Sequence, residues 1–337
     1  MTPRNIILSR TDHIGDVVLA LPMAGLLKQR FPAASISLLG RSYTRAVAEC
    51  CRHIDAFLDW SEVDGEAPNV QSEFLRTSGA DTIVHVFPRK QIAVAARRAG
   101  IPMRVGHGRR VWGFLNSNRR VFFSRRRSDL HEAQLNLALL RPFGIDLVPS
   151  LEELPSYYGL TRLPVLSGEL EALVSRGRVN VILHPKTAGN AKEWGSDNFA
   201  ALADLLTPER YAVFVTGTAD ERETIGDELL SSRPNVTSLV GELSLTDLIA
   251  FIARADAVVA ASTGPLHLAA ALGRHAVGLY SPKRPQYPGR WGPIGPQARA
   301  LVYDQQCERC SAGLDCDCIR RIPPSAVMEV LEGIVKQ

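Results

Sequence analysis

The chain has 337 residues, 45% of them hydrophobic, and a net charge of +4 at pH 7, which suits two domains that each bury a full core. No run approaches the ~20 consecutive apolar residues of a membrane-spanning helix, and six cysteines in so long a chain do not read as a secreted disulfide framework. The first residues enter a strand directly with no signal-peptide pattern, so the expected location is the cytoplasm.

In chain order, Asn5 to Arg10 reads as a strand, Gly15 to Arg30 as a helix interrupted by Pro22, and Ser35 to Leu39 as the next strand. Ser42 to Cys51 is expected as helix. Ala56 to Asp59, Asp81 to Phe87 and Met103 to Gly106 are expected as short strands, with helices at Val70 to Ser78 and Lys90 to Ala99. Leu130 to Pro142 reads as a longer helix, and Asp146 to Gly177, rich in Pro, Ser and Gly, as a linker.

The second half repeats the pattern. Strands are expected at Val179 to His184, Tyr211 to Thr216, Val236 to Val240, Ala257 to Ala261 and Ala276 to Tyr280, with helices at Asp197 to Leu206, Glu221 to Ser231, Leu245 to Ala253 and Pro265 to Leu272. This alternation predicts an α/β protein with doubly wound parallel sheets, divided into two Rossmann-like domains at 1–160 and 161–337. A last helix, about Pro324 to Val335, fits on either domain, including a return to the N-terminal one.

Charge is unevenly spread. Thr82 to Ser128 contains no Asp or Glu but many cations, Arg97, Arg98, Arg109 and Arg110 among them. Such a field suits an anionic partner, and a solvated basic face is the alternative. A membrane surface needs only the charge. Nucleic acid is disfavoured, because no recognition module or stacking motif accompanies the arginines.

Two loops carry most of the chemistry: Arg10-Thr11-Asp12-His13-Ile14-Gly15-Asp16 and Ser262-Thr263-Gly264-Pro265-Leu266-His267. Each lies between a β-branched run and an apolar helix, so each emerges at the carboxyl edge of a parallel sheet, where α/β proteins bind ligands. Asp16, behind a glycine that allows close approach, is available as a base or acceptor, and a helix cap explains it equally well. Ser262, Thr263 and Gly264 offer hydroxyls and amides as a phosphate cradle, with His267 in donating reach; a packed histidine is the alternative for the last. In Lys186–Gly195, Thr187 and Lys192 are placed to meet a diphosphate. Glu221 can accept from ribose hydroxyls or complement a helix dipole. Cys307, Cys310, Cys316 and Cys318 suffice for a tetrahedral zinc, although the last two gaps are unusual; free thiols or a local disulfide are the alternatives, and no metal is expected.

Together these segments resemble glycosyltransferase family 9, the ADP-heptose lipopolysaccharide heptosyltransferases and their relatives. The resemblance runs over nearly the whole chain: Gly15, Asp16 and Pro22; Lys192 and Trp194; the turn ending in Glu221; and Thr263, Gly264 and His267. It implies a GT-B fold with the active site between two Rossmann-like domains, and inverting, metal-independent transfer with no cofactor. The acceptor belongs to the N-terminal domain and the nucleotide sugar to the C-terminal one. Asp16 then matches the general base, Arg10, His13 and Gly15 accompany it, Thr187 and Lys192 match donor contacts, Glu221 the ribose contact, and Thr263, Gly264 and His267 the diphosphate loop. The implied partners are ADP-heptose and an anionic glycolipid acceptor at the inner face of the cytoplasmic membrane, with Arg97, Arg98, Arg109 and Arg110 on the acceptor surface. Where the family commonly has Asp before the Thr/Ser-Gly pair, this chain has Ser262, which keeps a different nucleotide-sugar donor as an alternative. A non-catalytic nucleotide-sugar-binding protein is the other.

Overall fold

The computed structural model describes residues 2–108, 111–125, 127–187, 189, 191–226, 229 and 233–334. The chain divides into two compact units, Met1–Arg162 and Leu163–Gln337. The first holds strands β1 (Asn5–Ser9), β2 (Ser35–Gly40), β3 (Ala56–Asp59), β4 (Thr82–His85), β5 (Met103–His107) and β6 (Arg119–Val121), all parallel, in the order β3-β2-β1-β4-β5-β6. The second holds β7 (Val179–His184), β8 (Tyr211–Val215), β9 (Val236–Ser238), β10 (Ala257–Ala261), β11 (His275–Tyr280) and β12 (Ala298–Val302), in the order β12-β11-β10-β7-β8-β9.

Counted within its own unit, each sheet runs in the same sequence, and each reverses direction of growth between its first and fourth strands. Loops diverge at such a reversal and leave a crevice at the carboxyl ends of the two strands. The crevices therefore lie beyond β1 and β4 in one unit and beyond β7 and β10 in the other.

The central strands explain themselves: β8 (YAVFV) and β10 (AVVAA) are buried at every position, as a strand covered by helices on both faces requires. In the N-terminal unit, Ile7, Leu39, Trp60, Leu75, Ile83 and Ile92 form one core. Val181, Leu183, Trp194, Phe199, Val213 and Val259 anchor the core of the C-terminal unit. The last helix, Pro324–Glu332, adds Val327 and Leu331 to that second core and packs on the helix Ser196–Leu205.

Departures from the sequence reading have local causes. The expected helix after β1 breaks at Leu19 and Ala20 into Ile14–Val18 and Leu21–Arg30, with Pro22 in the first turn of the second, where a missing N–H costs nothing. The helix expected at Leu130 to Pro142 is Glu132–Leu137 followed by a 3₁₀ stretch, Ala138–Phe143, that accommodates Pro142. The expected linker is partly structured: its 3₁₀ turn Leu154–Tyr157 packs so closely on the helix Leu21–Arg30 that a Cβ on Gly25 would lie 2.4 Å from the Tyr157 carbonyl oxygen.

Candidate active site

In the N-terminal unit the loop after β1 closes around one guanidinium. Arg10 is only 2% exposed, and its Nε lies 2.8 Å from Asp12 while Nη2 pairs with Asp16. Nη1 faces Glu132 at 3.7 Å and donates to Asn136 at 3.5 Å. Glu132, itself 1% exposed, also pairs with Arg125, which donates to Asn136 Oδ1 at 3.3 Å. Two cations and three carboxylates thus share one network, a burial made tolerable only by such pairing. Arg10 holds Asp12 and Asp16 in place and does not reach outward to an acceptor, the part the sequence assigned to it.

The two aspartates keep an open edge, with side chains 13% and 15% exposed. Burial pushes the Asp12 carboxyl up to about 6, with Arg10 opposing and the Asp16 charge assisting. His13 stands exposed at the N-cap of Ile14–Val18, and Gly15 is buried beside it. Of this constellation, Asp12, Glu132, Arg125 and Asn136 were not singled out from sequence. A signal existed for Glu132: it is an acid at the start of a short helix whose following residues Ala133, Leu135 and Leu137 are apolar and buried.

The basic run is largely consumed within the unit. The helix Val111–Asn116 ends in a ring of guanidinium donors: Arg97 to the Leu115 carbonyl at 3.2 Å, Arg104 to Asn116 at 2.8 Å, and Arg120 to Phe114 at 3.1 Å. Cations there satisfy orphan carbonyls and complement the helix dipole. Arg97 and Arg98 occupy the last turn of Lys90–Arg98, a helix that leaves the carboxyl edge after β4 and runs back. They therefore lie at the opposite edge of the sheet from Asp16, which corrects their expected place beside the acceptor site. Arg109 and Arg110 lie outside the described residues.

In the C-terminal unit the loop after β7 is braced from within. Thr187, 5% exposed, donates from Oγ1 to the Ala191 carbonyl at 2.8 Å, and Lys186 pairs with Glu193 at 2.8 Å. Trp194 is fully buried, edge-on to Phe199, with its indole N–H on the Ile322 carbonyl at 2.8 Å, so it anchors the loop as core. Gly195 follows at φ +103°, and a Cβ there would lie 2.3 Å from Asp197 Oδ1. Lys192 Nζ reaches Asp315 at 2.5 Å and the Cys316 carbonyl at 2.6 Å. With Ser262, Tyr280, Ser281, Lys283 and Gln286 it lines a small cavity.

Beyond β10, Thr263 is the N-cap of Gly264–Ala271. Its hydroxyl is buried, makes no cap bond and has no hydrogen-bond partner. An orphaned hydroxyl at the start of an eight-residue helix, beside that helix's free amides, is a donor set suited to phosphate oxygens. His267, one turn on, is 3% exposed. Glu221 accepts from the Thr218 amide at 2.8 Å in a capping box, a local structural part that the sequence reading did not name. His184, at the end of β7, bonds Thr216 Oγ1 at 2.9 Å, and burial drives its ring down to about 4.

Residues 74–316 match glycosyltransferase family 9 (heptosyltransferase). A Haemophilus influenzae protein named as a glycosyltransferase without a stated substrate is 27% identical over 306 residues, covering 88% of each chain. Lipopolysaccharide heptosyltransferase 2 of Escherichia coli is 27% identical over 345 residues, covering 96% of each. The solved E. coli ADP-heptose lipopolysaccharide heptosyltransferase II is similar at a TM-score of 0.74 with 22% identity, over 98% of this chain and 97% of that one. The likeness fixes the fold as GT-B, with two Rossmann-like units.

Proposed function

Because this chain belongs to glycosyltransferase family 9, the heptosyltransferase family, we propose that it transfers a heptose from ADP-heptose to a lipopolysaccharide core or related cell-envelope glycan, with inversion at the anomeric carbon. It is a glycosyltransferase; the donor, the stereochemistry and the acceptor are the proposal. The observation that carries it is the Asp16 carboxylate, held by buried Arg10 at the carboxyl edge of β1 with one side open. Asp16 takes the proton from the acceptor hydroxyl as its oxygen attacks the anomeric carbon, and the bond from that carbon to the diphosphate breaks. The charge that develops on the leaving diphosphate is met by the Thr263 hydroxyl, the first-turn amides of Gly264 and Leu266, and Lys192, with no metal ion in the step. Acceptor chemistry belongs to the N-terminal unit and donor binding to the C-terminal one.

A second reading keeps the reaction and changes the donor. It is favoured by Ser262, which lines the cavity beside Lys192 where the family commonly has Asp.

No helix among the described residues is long and apolar enough to cross a membrane. Peripheral attachment at the inner membrane face is supported by exposed Val111, Phe114, Leu115 and Phe122 beside Arg119 and Arg120, a mixture suited to an anionic headgroup layer.

Thermal unfolding with ADP, UDP, GDP and ADP-heptose tests the donor assignment, since a ligand of the folded state raises the midpoint by mass action. Selective stabilisation by ADP, increased by ADP-heptose, is expected. Preference for UDP or GDP moves the chain to the second reading, and no response to any nucleotide overturns donor binding.

A further inference from the structure

After β12 the chain forms a small loop whose only buried side chains of any apolar character are cysteines. Cys310, Cys316 and Cys318 are buried and Cys307 packs on them, in a cluster that includes no aliphatic residue. Ordinary core packing draws in Leu, Ile or Val, and none is present here. The four sulfurs lie within 4.8 Å of one another, with Cys316 to Cys318 at 3.1 Å and Cys307 to Cys316 at 3.6 Å. The single-turn helix Glu308–Ser311 brings Cys310 back beside Cys307. Gly313, at φ +73°, then reverses the chain to deliver Cys316 and Cys318 to the same point.

Four ligands around a tetrahedral ion with metal–sulfur bonds of about 2.3 Å stand about 3.8 Å apart. Two of the separations, 3.1 and 3.6 Å, lie just inside that spacing and all four sulfurs fall within 4.8 Å of one another, whereas a disulfide needs about 2.05 Å. We propose that Cys307, Cys310, Cys316 and Cys318 bind one thiophilic transition-metal ion as thiolates, and that this clip fixes the loop 307–318. The balance is simple: a divalent ion enters, four thiols lose four protons to solvent, and the site becomes a dianion with no change of oxidation state. An all-sulfur tetrahedral set selects zinc or iron over harder ions.

The neighbourhood accommodates the charge. Lys192 Nζ lies 2.6 Å from the Cys316 carbonyl and Lys283 Nζ 3.2 Å from that of Leu314. The same contacts say what the clip does: the loop it fixes is the loop that positions Lys192 and Lys283 at the cavity lined by Ser262. This inference does not depend on which donor the enzyme uses.

The test is the metal content of the intact chain, purified without chelator from cells grown with added zinc and iron. About one equivalent of either metal per chain is expected, with near-ultraviolet thiolate-to-iron(II) absorption, turning visible only on oxidation by air, distinguishing iron from spectroscopically silent zinc. A mercurial thiol reagent releases it, and Cys310→Ser or Cys316→Ser lowers the content to near zero. Removing the metal from the wild type is expected to speed amide exchange across 307–318 and 186–195 together. Less than about 0.1 equivalent of metal overturns the site, as does a mass deficit of two hydrogens per bridge, the mark of disulfides. Bound metal whose removal leaves exchange unchanged overturns the clip. If a serine variant fails to fold, the wild-type count decides alone.

Discussion

Asp12 and Asp16 lean on the same guanidinium, and their variants separate their parts. Asp16→Asn keeps the side chain's size and removes its ability to accept a proton. We expect kcat to fall by about 10²–10⁴-fold, with the nucleotide-induced midpoint shift unchanged; full turnover would remove Asp16 as the base. Asp12 titrates near 6 because burial disfavours its charge. Once protonated it no longer pairs with Arg10 as an anion, so kcat/KM is expected to decline below about pH 6, and Asp12→Asn to lack that limb. Asp16 was legible in sequence because a carboxylate behind a glycine at a strand-to-helix turn is a local pattern. Glu132 and Asn136 were not, since they reach Arg10 only through the fold, from a helix distant in sequence. The Thr263 hydroxyl lies between these cases: its loop was readable, its missing partner was not.

At the scale of elements, the buried central strands were readable as continuous apolar runs, while β6 and β12 escaped notice. Arg119-Arg120-Val121 exposes two of its three residues, and β12 is largely half-buried or exposed, so neither carries a buried signature. The helix Val111–Asn116 was missed for a related reason. It is one and a half turns long, and its stability rests on arginines from three other segments. That use of the basic run changes the place that the sequence reading gave Arg97 and Arg98 on the acceptor surface. For Arg97 and Arg98 the helix direction places the charges at the far edge of the sheet. Arg97→Glu with Arg98→Glu is therefore expected to leave acceptor KM within about twofold while lowering Tm, because a carboxylate at the helix C-terminus opposes its dipole. A large rise in KM would restore these residues to the acceptor surface.

Across the whole molecule, two imidazoles, His85 buried and His184 partly buried, set the acid limit. Burial drives His85 and His184 from 6.5 down to about 4. Between those values the unfolded chain takes up two protons that the folded chain refuses, so stability falls as pH drops from about 6.5 to about 4. Asp12 acts in the opposite sense: raised from 3.8 to about 6, it favours the folded state at low pH and loses that contribution as pH rises through 6. Two groups outweigh one, and Tm is expected to decline over this window, less steeply in His184→Gln; a flat profile would contradict the lowered titration of these rings. The placement of the last helix has a different consequence. Because Pro324–Glu332 joins the second core, every described segment of each unit comes from one uninterrupted stretch of chain. On the ribosome, the N-terminal sheet and its carboxylate network therefore have all their parts once residue 162 has left the exit tunnel, and vectorial synthesis exposes a complete first unit before the strands of the second emerge.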